Sequence, residues 1–151
     1  MSTGIIKCVL LADRHHGLSE GIRSLLESEF EAVVMVADEI SLIESAAKLK
    51  PSIVVADLAL ARGECFGWLR RLLARCPDSR VIVLSAYDEQ TVMRAAFEAG
   101  GAGFVLKREI ASQLLDAVDA VLAGRRYAPP SVSQRLLGNA DDKPVAEKEK
   151  A

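Results

Sequence analysis

The sequence contains few residues of the types that build disulfide scaffolds or soft-metal sites. Its 151 residues include three cysteines and two histidines. Cys8, Cys65 and Cys76 are odd in number, lie in or beside apolar stretches and show no C-x-x-C spacing, so we expect buried, reduced thiols. His15 and His16 are adjacent, and in an extended chain their side chains point in opposite directions. A soft-metal site at these histidines is therefore disfavoured.

Long apolar runs and a surplus of basic charge are also missing. The formal net charge of −2 argues against a broad nucleic-acid-binding face. The one apolar run before Asp13 is too short for a signal peptide or a membrane span. No repeat or low-complexity tract indicates a second fold. These absences predict a cytoplasmic protein that makes no contact with a membrane and no direct contact with DNA.

The residues that are present have the composition of an ordinary globular domain, with 50% hydrophobic and 26% charged residues. Short apolar runs alternate five times with amphipathic stretches of helical spacing, which predicts an α/β fold. The β-branched content of the apolar runs favours strands. The predicted strands lie near Lys7–Ala12, Ala32–Ala37, Ile53–Ala56, Val81–Leu84 and Gly103–Leu106.

Helices are predicted in the stretches between and after these strands. Asp88 is expected to cap the fourth helix. Pro51, the pair Gly100-Gly101, and Gly124 are expected to end the second, fourth and fifth helices. The predicted helices lie at about Leu18–Ser28, Ile40–Leu49, Phe66–Ala74, Asp88–Ala99 and Ile110–Ala123.

The pattern changes after Gly124. A pair of prolines opens a short helical run, and the residues after that run are polar, rich in lysine and glutamate, and without periodicity. We therefore predict a domain over residues 1–128, followed over residues 129–151 by a short helix and a disordered tail or linker.

A polar residue closes each of four predicted strands: Asp13, Asp57, Ser85 and Lys107. If these strands are parallel neighbours, their carboxyl ends meet at one edge of the sheet, which is where open α/β sheets bind ligands. Two carboxylates, a hydroxyl and an ammonium group suit a divalent cation and a phosphoryl group. The sequence therefore predicts a site for these ligands at that edge.

Several short motifs accompany the strand-end residues in a fixed order: VLLADRH from Val9, EGIRSLL from Glu20, AGGAGFVLK from Ala99 and AGRRY from Ala123. With them the chain resembles, over roughly residues 5–124, the receiver domain of bacterial two-component response regulators, of the kind found in LuxR/NarL/FixJ-type regulators. The resemblance implies a flavodoxin-like, doubly wound sheet of five parallel strands in the order 2-1-3-4-5, with helices on both faces. Because no helix-turn-helix sequence follows, the chain is either a stand-alone receiver or a fragment.

The resemblance also implies a role for each strand-end residue. Asp57 would be the nucleophile that accepts a phosphoryl group from a sensor histidine kinase or phosphotransfer protein. Ser85 and Lys107 would contact the phosphoryl oxygens, and Ser85 and Phe104 would form the switch. The alternatives are an ordinary surface lysine at 107 and plain core packing at Phe104. The implied protein is a signalling module and not an enzyme, with a homodimer as a further expected assembly.

Mg²⁺ is the cofactor that the resemblance implies, held by Asp13, Asp57 and the main-chain oxygen of Ala59. Receivers usually carry two successive acids after the first strand, whereas this chain has Arg14 in the second position. A guanidinium group at that position repels a cation, so Arg14 either points away or replaces the metal, and the predicted Mg²⁺ site is weak. The loop Leu58–Cys65 lacks the proline usual in the family and is expected to be pliable.

Three functions remain open at this stage. The first is a receiver that is phosphorylated on Asp57 and switches a partner or output domain. The second is a pseudo-receiver, an interaction module in which Arg14 forms a salt bridge with Asp57 or Asp13. The third is a flavodoxin-like FMN binder, although the turn after the first strand has no phosphate cradle. Mg²⁺ titration separates the first two, and a colourless purified protein dismisses the third.

Overall fold

The computed structural model of the protein describes residues 8–14, 16–60 and 66–130. Within these ranges, five parallel strands form one sheet in the order β2-β1-β3-β4-β5. The predicted fold class and strand order are confirmed. The strands are β1 (Cys8–Ala12), β2 (Ala32–Val36), β3 (Ile53–Asp57), β4 (Arg80–Ser85) and β5 (Gly103–Leu106).

Five α-helices cover the two faces of this sheet in the described part of the chain. Helices α2, α3 and α4 contribute to the core on one face, and α1 and α5 to the core on the other. All five predicted helices are confirmed, with ends that differ by a few residues. The helices are α1 (His16–Glu27), α2 (Glu39–Leu49), α3 (Gly67–Arg75), α4 (Gln90–Glu98) and α5 (Ile110–Leu122), and short 3₁₀ turns occupy Leu58–Leu60 and Lys107–Glu109.

Apart from polar residues at their ends, the central strands are apolar because both of their faces are covered. In β1, Leu10 belongs to the core beside α2, α3 and α4, whereas its neighbour Leu11 belongs to the core beside α1 and α5. Val54 and Val55 of β3 divide between the two cores in the same way. Successive side chains of a strand point to opposite faces, so a strand between two helical layers needs apolar residues at every position.

Residues with left-handed backbone end the helices where the sequence predicts it. Gly100 after α4 and Gly124 after α5 have φ angles of +110° and +87°. In each case the next residue returns a hydrogen bond to the last helical turn, from Gly101 N–H to Ala96 O and from Arg125 N–H to its acceptor on Ala120, both at 2.9 Å. Helix α2 ends directly before Pro51, as predicted.

The predicted N-cap of α4 is wrong. The N-cap residue is Glu89, which makes no side-chain capping hydrogen bond. The Asp88 carboxylate instead accepts a hydrogen bond of 2.9 Å from the guanidinium group of Arg108. This carboxylate thus pairs with a charged donor from the turn after β5. Helix α2 has a side-chain cap that was not predicted. The Asp38 carboxylate accepts a hydrogen bond of 2.8 Å from the Ser41 N–H, and this hydrogen bonding lowers the pKa of Asp38.

The chain returns to the sheet after α5. Tyr127 forms a parallel bridge with Gly103 of β5, although no strand was predicted at this position. Pro129 is buried, so the contacts continue beyond the predicted domain end at residue 128. That boundary stays a prediction, and the predicted short helix after Pro130 and the tail lie outside the described residues.

The described cysteines are free thiols. Cys76 is buried and Cys8 is half-buried, while Cys65 lies outside the described residues. Burial raises the pKa of the Cys8 thiol. No helix in the described ranges is long and apolar enough to cross a membrane.

Candidate functional site

The register of the sheet brings the four predicted strand-end residues together. Ala12 of β1 pairs with Ala56 of β3, and the last residues of β3 and β4 pair with Leu84 and Leu106 of the adjacent strands. Asp13 and Lys107, which directly follow the paired residues Ala12 and Leu106, lie at the same edge of the sheet. The structure therefore places Asp13, Asp57, Ser85 and Lys107 at neighbouring positions there.

Asp57 is the centre of this site. Its side chain is 3% exposed, and its Oδ2 atom lies 2.5 Å from Nζ of Lys107, whose side chain is 18% exposed. The other carboxylate oxygen, Oδ1, accepts a hydrogen bond of 3.0 Å from the main-chain N–H of Ala59. Lys107 is therefore not an ordinary surface lysine. It supplies the positive charge that a buried carboxylate needs.

Asp13 places a second carboxylate beside Asp57. It is 5% exposed, and its main-chain N–H donates to Val36 O at 3.1 Å. Two acidic side chains and the main-chain oxygen of Ala59 are hard oxygen donors of the type that Mg²⁺ prefers, so the donor set fits the ion in kind. The described residues hold no group of three or more His, Cys, Asp or Glu side chains suited to a metal. Among the described residues, the candidate donor set therefore contains two carboxylates, those of Asp13 and Asp57.

Arg14 follows Asp13 and is exposed. Among the ion pairs of the described residues, the partner of Asp57 is Lys107. The pseudo-receiver hypothesis allows a salt bridge from Arg14 to either Asp57 or Asp13, so the pairing of Asp57 with Lys107 does not decide between the two functions. The rival site at the histidines is not tested, because His15 lies outside the described residues.

Ser85 and Phe104, the predicted switch residues, are both fully buried. The Ser85 hydroxyl donates to the carbonyl oxygen of Tyr87 at 2.9 Å and accepts from the Tyr87 N–H at 2.8 Å. The hydroxyl is therefore bound to its own loop. The Phe104 ring lies in the core beside α2, α3 and α4. The ring is therefore buried even though the Ser85 hydroxyl is bonded to Tyr87, so burial of the ring does not require movement of the serine.

Sequence reasoning missed one ion pair next to the site. Arg108 follows Lys107 in the turn after β5, and its contact with Asp88 connects that turn to the loop after β4. The two consecutive basic residues at a strand end were the available signal. The predicted pliable loop falls mostly outside the described residues; its first part, Leu58–Leu60, is a 3₁₀ turn.

The family comparison decides what kind of domain this is. The model of the response regulator receiver domain matches residues 9–119. The chain belongs to the response regulator receiver family. Its relatives include the transcriptional regulatory protein DegU of Brevibacillus brevis, 30% identical over 131 residues, and the response regulator GacA of Pseudomonas aeruginosa, 32% identical over 130 residues. The aligned regions cover 85% of this chain but only 56% and 61% of these relatives. The receiver chain thus spans less than two thirds of their length.

Solved receiver structures share the fold. A LuxR-family two-component response regulator from Aurantimonas sp. SI85-9A1 has a TM-score of 0.81 at 28% identity, covering 88% of this chain and 96% of that one. The isolated receiver of RcsB from Salmonella enterica serovar Typhimurium, solved with the phosphomimetic BeF3⁻, has a TM-score of 0.77 at 26% identity, with 85% and 97% coverage. A further structure holds two RcsB dimers bound to two parallel DNAs (TM-score 0.76, 27% identity, 89% and 69% coverage). These matches favour the receiver over the flavin-binding alternative.

Proposed function

We propose that this receiver accepts a phosphoryl group on Asp57 from a sensor histidine kinase or phosphotransfer protein, and that occupancy of the site switches a partner or output domain. The observation that carries the proposal is the buried Asp57 carboxylate paired with Lys107 at the ligand-binding edge of the sheet. Membership of the receiver family supports it.

The transfer itself requires little from the protein beyond position and charge. A carboxylate oxygen of Asp57 attacks the phosphorus of the phosphohistidine. The new O–P bond forms as the P–N bond breaks, and the imidazole leaves with the electron pair and takes a proton from solvent. Lys107 contacts the attacking carboxylate, so its ammonium group is in position to pair with a phosphoryl oxygen.

Ser85 connects occupancy to a change of conformation. The hydroxyl donates its one proton to the neutral Tyr87 carbonyl in a hydrogen bond that contributes about 1 kcal/mol, whereas a hydrogen bond to a charged acceptor contributes about 1.5–3 kcal/mol. A phosphoryl oxygen therefore competes favourably with the Tyr87 carbonyl for the Ser85 proton. The ion pair between Asp88 and Arg108 ties this loop to the turn that carries Lys107, so both strand ends respond together.

The site also has oxygen donors that suit Mg²⁺. Asp13, Asp57 and the main-chain oxygen of Ala59 would hold the ion, and it would neutralise the negative charge of the carboxylates and the phosphoryl group. The guanidinium group of Arg14 directly follows Asp13 and weakens this binding by charge repulsion.

Arg14 is also the observation that favours a second candidate function. A pseudo-receiver would use the same fold for protein interaction with weak or absent Mg²⁺-dependent phosphorylation.

A cytoplasmic location and a homodimer remain predictions under either function. In α5, Leu114 and Val118 are buried in the core, so a dimer through this helix would use other residues.

Intact-mass spectrometry after incubation with a small-molecule phosphodonor, with and without Mg²⁺, tests the proposal. We expect the wild type to gain one phosphoryl group and the Asp57→Asn variant to gain none. Asp78→Asn makes the same chemical change at an exposed position beyond the other end of the sheet and should be labelled like the wild type. Equal labelling of wild type and Asp57→Asn would remove Asp57 from its role. Absence of labelling in the wild type at every Mg²⁺ concentration would favour the pseudo-receiver.

A further inference from the structure

The segment after α5, residues 125–129 (the docked segment), lies along the open edge of β5 and is joined to it by an isolated bridge. Tyr127 bridges Gly103 in parallel orientation. The Phe104 N–H donates to Tyr127 O at 3.0 Å, and the Tyr127 N–H donates to Ala102 O at 3.1 Å. The main-chain amides of Phe104 and Tyr127 are therefore protected from hydrogen exchange only while the segment stays in place.

The side chains of the docked segment alternate between the two faces of the sheet, as in a strand. Tyr127 packs against the core beside α1 and α5, whereas Ala128 packs against the core beside α2, α3 and α4. Burial and the negative charges of Asp116 and Glu109 raise the pKa of Tyr127.

A side-chain contact attaches the segment to α4 as well. The guanidinium group of Arg126 lies over the ring of Phe97, with its central carbon 5.3 Å from the ring centroid. Arg125, its neighbour, has no such ring contact among the described residues. A cation–π contact of this kind shifts a local opening equilibrium by about two- to fivefold.

The docked segment thus contacts the strand that contains one predicted switch residue and the helix that follows the other. Phe104 lies in β5 and shares a hydrogen bond with the segment, and α4 begins after the loop that holds Ser85. A movement of that loop would shift α4, and with it the Phe97 ring that Arg126 contacts. The segment is also where the chain leaves the domain.

We propose that the docked segment is a regulatory contact: it holds the chain that follows α5 on β5 and α4 while the Asp57 site is empty, and it loosens when that site is occupied. The docking stands on the observed contacts alone, whereas its coupling to occupancy rests on the proposed function. The two parts are tested separately.

Amide hydrogen exchange measured by NMR tests the docking. In Arg126→Ala, the amides of Phe104 and Tyr127 should exchange about two- to fivefold faster than in the wild type, while the amide of Val55 in β3 keeps its rate. Arg125→Ala removes the same charge without removing a ring contact and should leave all three rates unchanged. Equal rates in Arg126→Ala and wild type, or equal acceleration by both variants, would overturn the docking.

Beryllofluoride with Mg²⁺ as the loading probe tests the coupling, with uptake followed by fluorine NMR. On loading, the Phe104 and Tyr127 amides of the wild type should exchange at least about fivefold faster, which is the lower end of ordinary coupling between sites. Asp57→Asn treated in the same way should show no change. A loaded wild type with unchanged exchange would contradict the coupling alone. Absence of loading would contradict the proposed function and its coupling, while the docking is still decided by the Arg126→Ala experiment.

Discussion

At the residue scale, the site is governed by an excess of negative charge in a buried place. Asp13 and Asp57 are 5% and 2% exposed, and Lys107 supplies the ammonium group that pairs with one of them. Like charges placed side by side in a poorly solvated environment destabilise each other. The site therefore favours the binding of a further cation.

Replacing Lys107 with Ala should lower the free energy of unfolding by about 2–3 kcal/mol, somewhat less than for a fully buried pair, because the ammonium group is partly solvated. The double variant Asp57→Asn/Lys107→Ala has no charged carboxylate at position 57 and should lose less than the sum of the single losses, by at least about 1 kcal/mol. Urea denaturation of the four proteins measures this cycle. Strict additivity would show that the ion pair does not stabilise the fold.

Arg14→Asp should raise Mg²⁺ affinity at least tenfold, about 1.4 kcal/mol, because it reverses a charge beside the site and adds an oxygen ligand. Arg14→Ala, which removes the charge without adding a ligand, should fall between the wild type and the Asp variant. Without metal, Arg14→Asp should lose stability because three carboxylates then repel one another. Isothermal titration calorimetry compares the three affinities. Tight binding by the wild type, or no gain in the Asp variant, would mean that Arg14 does not weaken the site.

The sequence predicts which residues meet at the site but not how they are bonded. The positions of Asp13, Asp57, Ser85 and Lys107 follow from the ends of four apolar runs, because parallel strands bring their carboxyl ends together. The hydrogen bonds between Ser85 and Tyr87 depend on loop geometry, which leaves no periodic signal. Side-chain pairing was therefore beyond sequence reasoning.

At the element scale, glycine at the end of a helix determines where that helix stops. Gly124 has a φ of +87°, and a Cβ atom added there would meet nothing within 4 Å. Gly21 lies inside α1, and a Cβ atom added there also meets nothing within 4 Å. The two glycines therefore differ in backbone conformation and not in the space around them.

Gly124→Ala should lower the free energy of unfolding by about 1 kcal/mol, because alanine is strained in the left-handed region. Gly21→Ala should raise it by about 0.5–1 kcal/mol, because alanine reduces the entropy of the unfolded chain and favours the helix. Thermal or urea denaturation measures both. Changes of the same sign in the two variants would contradict this account of the helix end.

Long periodic elements were predictable, and short or charge-determined features were not. The five strands and five helices follow from apolar runs and helical spacing. The bridge at Tyr127 involves a single residue and therefore has no period to detect. The N-cap prediction at Asp88 failed because Arg108, distant in sequence, binds that carboxylate.

At the scale of the whole molecule, the fold separates the ligand site from the point where the chain leaves the domain. Asp57 lies at the carboxyl ends of the strands, while Tyr127 pairs at the first residue of β5. The strand β5 and helix α4 connect the two places. Under the proposed coupling, these two elements would carry a change at Asp57 to the residues after α5.

The most direct test of the central claim locates the phosphoryl group on the chain. Treating the phosphodonor-labelled wild type with borohydride reduces an aspartyl phosphate to homoserine, and peptide mass spectrometry then identifies the changed position. We predict homoserine at position 57, with aspartate retained at position 13. Homoserine at position 13, or none in a labelled chain, would contradict the assignment of Asp57 as the phosphoryl acceptor.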